Sequence, residues 1–258
     1  MHEVAFEVFG VRVAFTTNDP ELLDQFQELI PPNATPCEAS AAEQRFELIS
    51  RNGDGYDLRL NEDWQLDYKD VQLAWALLDM HMSGYIAVHA TNRIFVHAGV
   101  VAYRDRLIMA PGMSFSGKST LVAALVRAGA AYYSDDYALL DEAGRVHPYP
   151  KPLSLRGENL IPSTHSPQSL GSVVGLEPRL PSLIVITNYR RGAEWDPRRL
   201  SAGAASLAVL ANTVPVRERP AESLEAVSRA VEKAIVLEGD RDEADDVVPR
   251  LFAALDGD

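Results

Sequence analysis

Residues 107–125, LIMAPGMSFSGKSTLVAAL, carry the clearest structural signal in the chain. A short apolar run of strand type is followed by a glycine-flanked turn and then by an apolar run of helical length, predicted to extend from Lys118 to about Ala128 and to end at Gly129. The turn, residues 112–119, follows the pattern Gly-x-x-x-x-Gly-Lys-Ser. This pattern has structural meaning when it follows a strand and opens a helix, and both flanks are present here.

The residue types in this turn suit the binding of phosphate groups. Glycines let the backbone turn its N–H groups inward, and a helix N-terminus adds roughly half a positive charge at the same place. A lysine reaches the terminal phosphates and a serine hydroxyl holds magnesium. A harmless glycine turn is the alternative. The pattern predicts a site for ATP with magnesium, formed by Gly112, Ser114, Ser116, Gly117, Lys118, Ser119 and Thr120.

A pair of carboxylates, Asp135 and Asp136, ends the strand that follows the predicted helix. In such a unit the second strand lies beside the first or one place away. Its C-terminal end then lies near the bound phosphates. One carboxylate can bind or orient a metal ion, and the other can accept a proton from an attacking hydroxyl. Alone, the pair would be more typical of a solvated turn.

Three stretches together resemble the catalytic domain of HPr kinase/phosphorylase, and more closely the smaller related serine kinases, some of which occur with lasso-peptide biosynthesis genes. They are His97-Ala98-Gly99-Val100-Val101, the turn 112–119, and Ser134-Asp135-Asp136. Arg156-Gly157 and Val214-Pro215-Val216-Arg217 are similar to later signatures of that family. The resemblance covers about residues 93–235 and is strongest in the first third of that range.

The resemblance implies an α/β protein with a P-loop fold of the HPr kinase and phosphoenolpyruvate carboxykinase type, built on a mixed sheet. It implies phosphoryl transfer from a nucleotide to a serine hydroxyl, with Asp136 as the base. It also implies that Asp135 and His97 support the base and the metal, and that Arg217 or Arg219 contacts phosphate or substrate. Relatives often form rings or dimers, which makes a homo-oligomer compatible with the resemblance.

The chain departs from that family at positions near the predicted site. Phe115 stands where family members often have a further glycine, and Ser154 stands where they have a metal-binding glutamate. Magnesium would then rely on Ser119 and an aspartate such as Asp135, or on Glu158. The first ninety residues do not match true HPr kinases, so HPr is not the expected acceptor.

Two further basic residues are candidate contacts to a substrate. Lys151 lies in a rigid Tyr-Pro-Lys-Pro turn, from which it either reaches a phosphate or points to water. Arg156 belongs to the Arg-Gly signature.

The composition of the whole chain bounds its class. Its 258 residues are 47% apolar and 24% charged, which is typical of a globular protein. The net charge of −13 argues against nucleic acid as a partner, because such proteins need a basic surface. Apolar runs long enough to span a membrane, a basic leader and a second cysteine are absent from the sequence. These features predict a cytoplasmic protein without an internal disulfide.

The pattern along the chain predicts two parts: residues 1–90, a small α+β region for substrate or partner binding, and residues 91–258, the nucleotide-binding catalytic domain. A helix is expected to begin at Asp19-Pro20, and another to cover 70–89 with an apolar stripe of Val71, Leu73, Ala74, Leu77, Leu78 and Met82. The acid-rich run 238–246 is typical of a solvated loop or a helix start. Strands are expected at 4–9, 12–15, 46–50, 56–60, 94–97, 100–103, 107–110, 131–134, 137–140, 146–149 and 183–187, with mostly helix from about 221.

The sequence is compatible with three functions. The first is a kinase acting on a hydroxyl, such as serine in a peptide or small protein. The second is a kinase or carboxykinase-like enzyme for a small metabolite. The third is a non-catalytic nucleotide-binding regulator whose N-terminal region binds a partner. The phosphate loop is common to all three, and the aspartate pair favours the enzymes.

Overall fold

The chain is a mixed α/β protein with two mixed sheets. A computed structural model describes residues 1–51, 54–61, 64–113, 116–156 and 162–256. The chain divides into two compact units, 1–92 and 93–258. Within the described ranges, no helix combines the length and apolar character needed to cross a bilayer.

In its described residues, the first unit is a six-stranded sheet with two α-helices. Its strand order is β3-β1-β2-β4-β5-β6; β2 and β4 are parallel, and the other neighbours are antiparallel. The elements are β1 (His2–Val8), β2 (Val11–Thr17), α1 (Pro20–Phe26), β3 (Thr35–Pro36), β4 (Gln44–Ser50), β5 (Tyr56–Leu60), β6 (Trp64–Tyr68) and α2 (Val71–His89).

Both helices of this unit begin at an aspartate that caps them. Asp19 accepts a hydrogen bond from the Glu21 amide, and Asp70 accepts one from the Gln72 amide. The apolar stripe predicted for α2 is partly wrong, because Leu73 is 50% exposed. The buried face is instead formed by Ala74, Trp75, Leu78, Met82, Ser83, Ile86 and Ala87.

The second unit carries the predicted phosphate loop. Its main sheet follows the order β11-β10-β7-β8-β14-β16-β15, with β9 also paired to β7, and β12 and β13 form a separate antiparallel pair. The elements are β7 (Ile94–Tyr103), β8 (Arg106–Pro111), α3 (Lys118–Arg127), β9 (Ala131–Ser134), β10 (Tyr137–Leu140), β11 (Val146–His147), β12 (Leu153–Arg156), β13 (Pro162–His165), β14 (Pro181–Ile186), β15 (Arg198–Arg199), α4 (Ala202–Leu210), α5 (Pro220–Val231), β16 (Ile235–Glu238) and α6 (Ala244–Asp256).

The main sheet of this unit is covered on both faces. One core joins the sheet to α3 and α6 through residues such as Leu121, Leu125 and Leu251. The other core joins it to α4 and α5 through residues such as Val209 and Val227. The sheet is therefore the middle layer of three, and its strand ends are the places left for ligands.

One sequence prediction about this unit is wrong in detail. The strands expected at 94–97 and 100–103 are one continuous strand, β7, which pairs with three neighbours. The segment from about 221 is mostly helical, as predicted, and strand β16 lies between its helices and runs parallel to β14. Likewise, β9 and β10 have the predicted bounds, and α3 ends before Gly129 as predicted.

Candidate functional site

The middle of β7 brings the predicted loop and the acid pair to the same place. On one side, Ala98 pairs with Pro111 and the Gly112 amide donates to the His97 carbonyl at 3.0 Å. On the other side, the Ala98 amide donates to the Asp136 carbonyl at 3.2 Å. The turn that contains Asp135 and Asp136 is called the acid turn below. Because neighbouring strands are about 4.8 Å apart, the loop and the acid turn lie roughly 10 Å from each other.

The loop closes through contacts of its own residues. Gly117 has φ of 87°, a left-handed conformation that favours glycine, and it directly precedes α3. A side chain on Gly112 would place its Cβ 2.6 Å from the Ser116 hydroxyl, so the Ser116 side chain would have to move to admit one. The Lys118 ammonium donates to the Met113 carbonyl at 3.0 Å. The predicted ligand Ser114 lies outside the described residues.

Helix α3 approaches β7 closely at one glycine. A Cβ atom on Gly99 would lie 2.3 Å from Cγ2 of Val122 and 4.0 Å from Cβ of Lys118. The absence of a side chain at Gly99 therefore lets helix α3 approach the strand closely at Val122. Ser119 is half-buried in that turn, and Thr120 is exposed.

Three charged or titratable groups of the predicted site act on one another. Burial lowers the pKa of His97 below its ordinary value, the positive charge of Lys118 lowers it further, and the negative charge of Asp136 raises it. The His97 ring also lies 4.8 Å from the ring of Tyr137. A neutral imidazole between an ammonium and a carboxylate can accept or donate one hydrogen bond at each nitrogen.

The two aspartates of the acid turn have different surroundings. Asp135 is only 4% exposed, whereas Asp136 is exposed. The turn is tied by a 3.3 Å hydrogen bond from the Tyr137 amide to the Ser134 hydroxyl. Burial raises the pKa of Tyr132, and the charges of both aspartates raise it further. Asp136 is thus open to an incoming molecule, and Asp135 faces the protein.

The structure places Lys151 beside the strand that leads to the acid turn. The Tyr132 hydroxyl donates to the Lys151 carbonyl at 2.6 Å, and the Lys151 amide donates to the Tyr149 carbonyl. This fixes the backbone of Lys151 against β9. Arg156 is the last residue of β12, and its side chain lies outside what the structure describes. Glu158 is likewise outside the described residues.

The two arginines expected near phosphate lie at the start of α5. Arg217 directly follows the short turn 214–216 and is exposed. Arg219 forms an ion pair with Glu222 and donates to the Arg93 carbonyl at 3.3 Å. Since Arg93 is four residues before His97, this contact lies roughly 13 Å along β7 from the histidine. Arg219 is therefore not brought to the loop itself.

A buried arginine that could not be identified from the sequence contacts the loop from the protein interior. Arg241 is 1% exposed, and its guanidinium donates to the carbonyls of Gly117 at 2.7 Å and Asp242 at 2.8 Å. Burial lowers its pKa, and the charges of Glu243 and Tyr189 raise it. Arg241 lies in the acid-rich run 238–246, which is typical of a solvated loop or a helix start. Its burial corrects the expectation of a solvated residue, and it depends on tertiary contacts.

Two buried hydroxyls belong to this same neighbourhood. Ser116 is in the loop, and Thr187 directly follows β14, the parallel neighbour of β8. Among the described residues, neither side-chain oxygen has a hydrogen-bond partner. Most buried polar groups in proteins have partners, so these are groups that a phosphate oxygen or an ordered water would satisfy.

The site offers few protein ligands for a metal ion. In the described ranges, no three residues of the types His, Cys, Asp and Glu are grouped as a metal site. The hydroxyl of Ser119 and the carboxylate of Asp135 are the predicted pair. This set suits magnesium, which commonly takes one or two carboxylates together with phosphate oxygens and water.

Comparison with known proteins adds no family to this geometry: no family model matches the chain, and no curated protein matches it.

Proposed function

We propose that the chain is a magnesium-dependent phosphotransferase that binds ATP at residues 112–120 and transfers its terminal phosphoryl group to a hydroxyl, most simply serine of a peptide or small protein. The observation that carries this proposal is the placement of the Gly112 loop and the Asp136 turn on opposite sides of His97–Gly99. The proposal includes a phosphate-loop fold of the HPr kinase and phosphoenolpyruvate carboxykinase type, which is the fold that the sequence resemblance implies.

In this proposal the loop binds the phosphates through charge and backbone donors. The N-terminus of α3 directs amide groups and a partial positive charge at the loop. Lys118 exchanges its bond to the Met113 carbonyl for phosphate oxygens. Arg241, buried behind Gly117, adds a positive charge that does not itself reach solvent. These groups fit the oxygens of a triphosphate.

The acid turn would act on the acceptor. Asp136 is exposed and so can receive the acceptor hydroxyl. The serine oxygen forms a bond to the terminal phosphorus, the bond from that phosphorus to the bridging oxygen of ADP breaks, and the hydroxyl proton passes to the Asp136 carboxylate. His97, between Lys118 and Asp136, orients the carboxylate. Bringing the reactants together is the main task of such a site, because the transfer needs little covalent help.

Magnesium, held by Ser119 and Asp135, would supply charge neutralisation at the phosphate oxygens. Asp135 is buried beside the acid turn and therefore suits a fixed ligand better than a mobile base.

The test is phosphoryl transfer from radiolabelled ATP to an array of serine peptides, with alanine at the acceptor position as the matched control. The wild-type chain should label serine peptides only. Asp136→Asn should bind ATP with nearly unchanged affinity and lose transfer by at least about a hundredfold, because a positioned base is worth roughly 10²–10⁴ in rate. Transfer by Asp136→Asn at the wild-type rate would contradict the assignment of the base.

The two alternative functions predict different results when the same proteins are assayed. A carboxykinase-like enzyme would turn over oxaloacetate with ATP and leave peptides unlabelled. A nucleotide-binding regulator would bind ATP tightly and transfer phosphate to no acceptor.

A further inference from the structure

The segments that follow β14 and β16 lie at the same end of the sheet as the phosphate loop. Strand β14 pairs in parallel with β8 on one side and with β16 on the other. Their C-terminal ends therefore meet at the edge where ligands of such sheets bind. The acid turn, in contrast, is reached by crossing β7 on the opposite side of β8.

Backbone hydrogen bonds join these segments to the loop. The Tyr189 amide donates to the Ser116 carbonyl at 3.2 Å, and the Arg241 amide donates to the Asn188 carbonyl at 3.0 Å. The guanidinium of Arg241 then bonds to the Gly117 carbonyl. The loop and the two segments thus form one hydrogen-bonded frame, so groups presented by Asn188 and Tyr189 have fixed positions relative to bound phosphate.

The two neighbours of β8 determine in which direction the bound nucleotide extends. Strand β7 and the acid turn lie on one side, and β14 and β16 lie on the other. If the terminal phosphate points towards Asp136, the rest of the nucleotide extends away from β7, over the ends of β14 and β16. We propose that the nucleoside part of the nucleotide binds there, with Tyr189 as the platform on which the base stacks and Asn188 as a polar contact to the nucleoside. This inference rests on the proposed function and specifies which residues receive the rest of the ligand.

Tyr189 has the position and the exposure that a stacking platform requires. Its Cβ atom lies 3.4 Å from where a side chain on Gly117 would begin, yet 46% of its surface is exposed. Its hydroxyl donates to the Glu243 carboxylate at 3.3 Å, which restrains the ring. An exposed aromatic ring in a fixed position beside a phosphate loop gives a base a surface to stack on, and every base has a π-face.

Asn188 lies next to a cleft of suitable size. The cleft has a volume of about 310 Å³ and is lined by Ile186, Asn188, Arg198, Glu238, Gly239 and Asp240. Arg190 and Asp240 form an ion pair of 3.2 Å across the two segments. An exposed amide can donate and accept, and a carboxylate such as Asp240 can accept from ribose hydroxyls. The cleft therefore offers the polar groups that a nucleoside needs.

The experiment compares ATP with inorganic tripolyphosphate, which has the same phosphate chain and no nucleoside. Both are titrated with magnesium into the full chain by calorimetry. Tyr189→Leu should weaken ATP binding by roughly five- to a hundredfold, the range for losing one stacked base, and leave tripolyphosphate binding unchanged. Tyr189→Phe keeps the ring but loses the hydrogen bond to Glu243, so it should retain most of the ATP affinity that Tyr189→Leu loses and bind tripolyphosphate like the wild type.

Asn188→Ala, at an exposed side chain, provides a second variant should Tyr189→Leu fail to fold. It too should weaken ATP binding and not tripolyphosphate binding. Wild-type ATP affinity in the folded variant, or an equal loss for both ligands, would overturn the nucleoside assignment while leaving the phosphate loop intact. If the wild-type chain binds neither ligand, the proposed function is wrong and this inference is wrong with it.

Discussion

Replacing Gly99 by alanine tests the packing of the phosphate-loop helix on β7. The added Cβ would lie 2.3 Å from Cγ2 of Val122, whereas carbon atoms in contact are ~3.5–4.0 Å apart. Either Val122 must leave its preferred helical rotamer, or α3 or the strand must move by roughly 1–1.5 Å. Overpacking of this kind costs about 1–3 kcal/mol. We expect urea denaturation to show a loss of that size in the free energy of unfolding.

The same displacement should weaken nucleotide binding. The clash is with Val122, one turn after Lys118, so a displacement of α3 there would carry Lys118 and the loop with it. Losing one hydrogen bond to a charged phosphate costs roughly 1.5–3 kcal/mol. We expect Gly99→Ala to bind ATP with magnesium at least about tenfold more weakly than the wild type, measured by calorimetry.

Two further variants separate this clash from general effects of alanine. Val122→Ala removes Cγ2, and the nearest remaining atom of Val122, Cβ, would lie at an ordinary 3.8 Å from the added carbon. The double variant should therefore bind ATP better than Gly99→Ala. Gly203 in α4 has open space around it, so Gly203→Ala should leave stability unchanged or raise it by up to ~1 kcal/mol. Wild-type stability and ATP affinity in Gly99→Ala would refute the packing argument.

Further predictions concern stability. Arg241→Met keeps much of the buried volume but cannot donate to the Gly117 carbonyl, and we expect a loss of about 2–4 kcal/mol in urea denaturation; an unchanged midpoint and slope would contradict this. Burial raises the pKa of Asp141, but hydrogen bonds from groups such as His147 lower it, and the result is below its ordinary value. The stabilisation from this carboxylate is therefore complete above its unfolded-state pKa of ~3.9 and is lost as pH falls through the folded value. In Asp141→Asn the thermal unfolding temperature should fall less steeply as the pH is lowered through the acid range. A fall as steep as that of the wild type would contradict the stabilising role of the hydrogen bonds to Asp141. Asp19→Ala removes a helix cap and should lower the free energy of unfolding by about 1 kcal/mol, measured by chemical denaturation of the full chain. An unchanged free energy of unfolding would mean that this cap does not stabilise the protein.

Local rules predicted the elements around the site well. Gly129 ends α3, and the acid pair follows a strand with the predicted bounds, because these features depend on nearby residues. The strand carrying the pair lies one place from β8, as the connection rule predicts. The loop, the acid turn and their shared neighbour His97 were therefore all accessible from the sequence.

Features that depend on distant contacts were not accessible in the same way. The sequence predicts separate strands before and after Gly99, whereas β7 is continuous there and the missing side chain of Gly99 makes room for Val122 of α3. Arg241 stands among acidic residues, and only the fold shows that it is buried behind Gly117. Leu73 fitted the predicted stripe of α2, but the position of the sheet decides which face of the helix is buried.

The most direct measurement is a calorimetric titration of ATP with magnesium into the wild-type chain and into Lys118→Ala. The wild type should bind one nucleotide per chain. Lys118→Ala removes the ammonium that now donates to the Met113 carbonyl, and its affinity should fall by at least about tenfold, since a hydrogen bond to a charged group is worth roughly 1.5–3 kcal/mol. Equal affinity in the two proteins, or no binding by the wild type, would contradict the existence of a phosphate site in this loop.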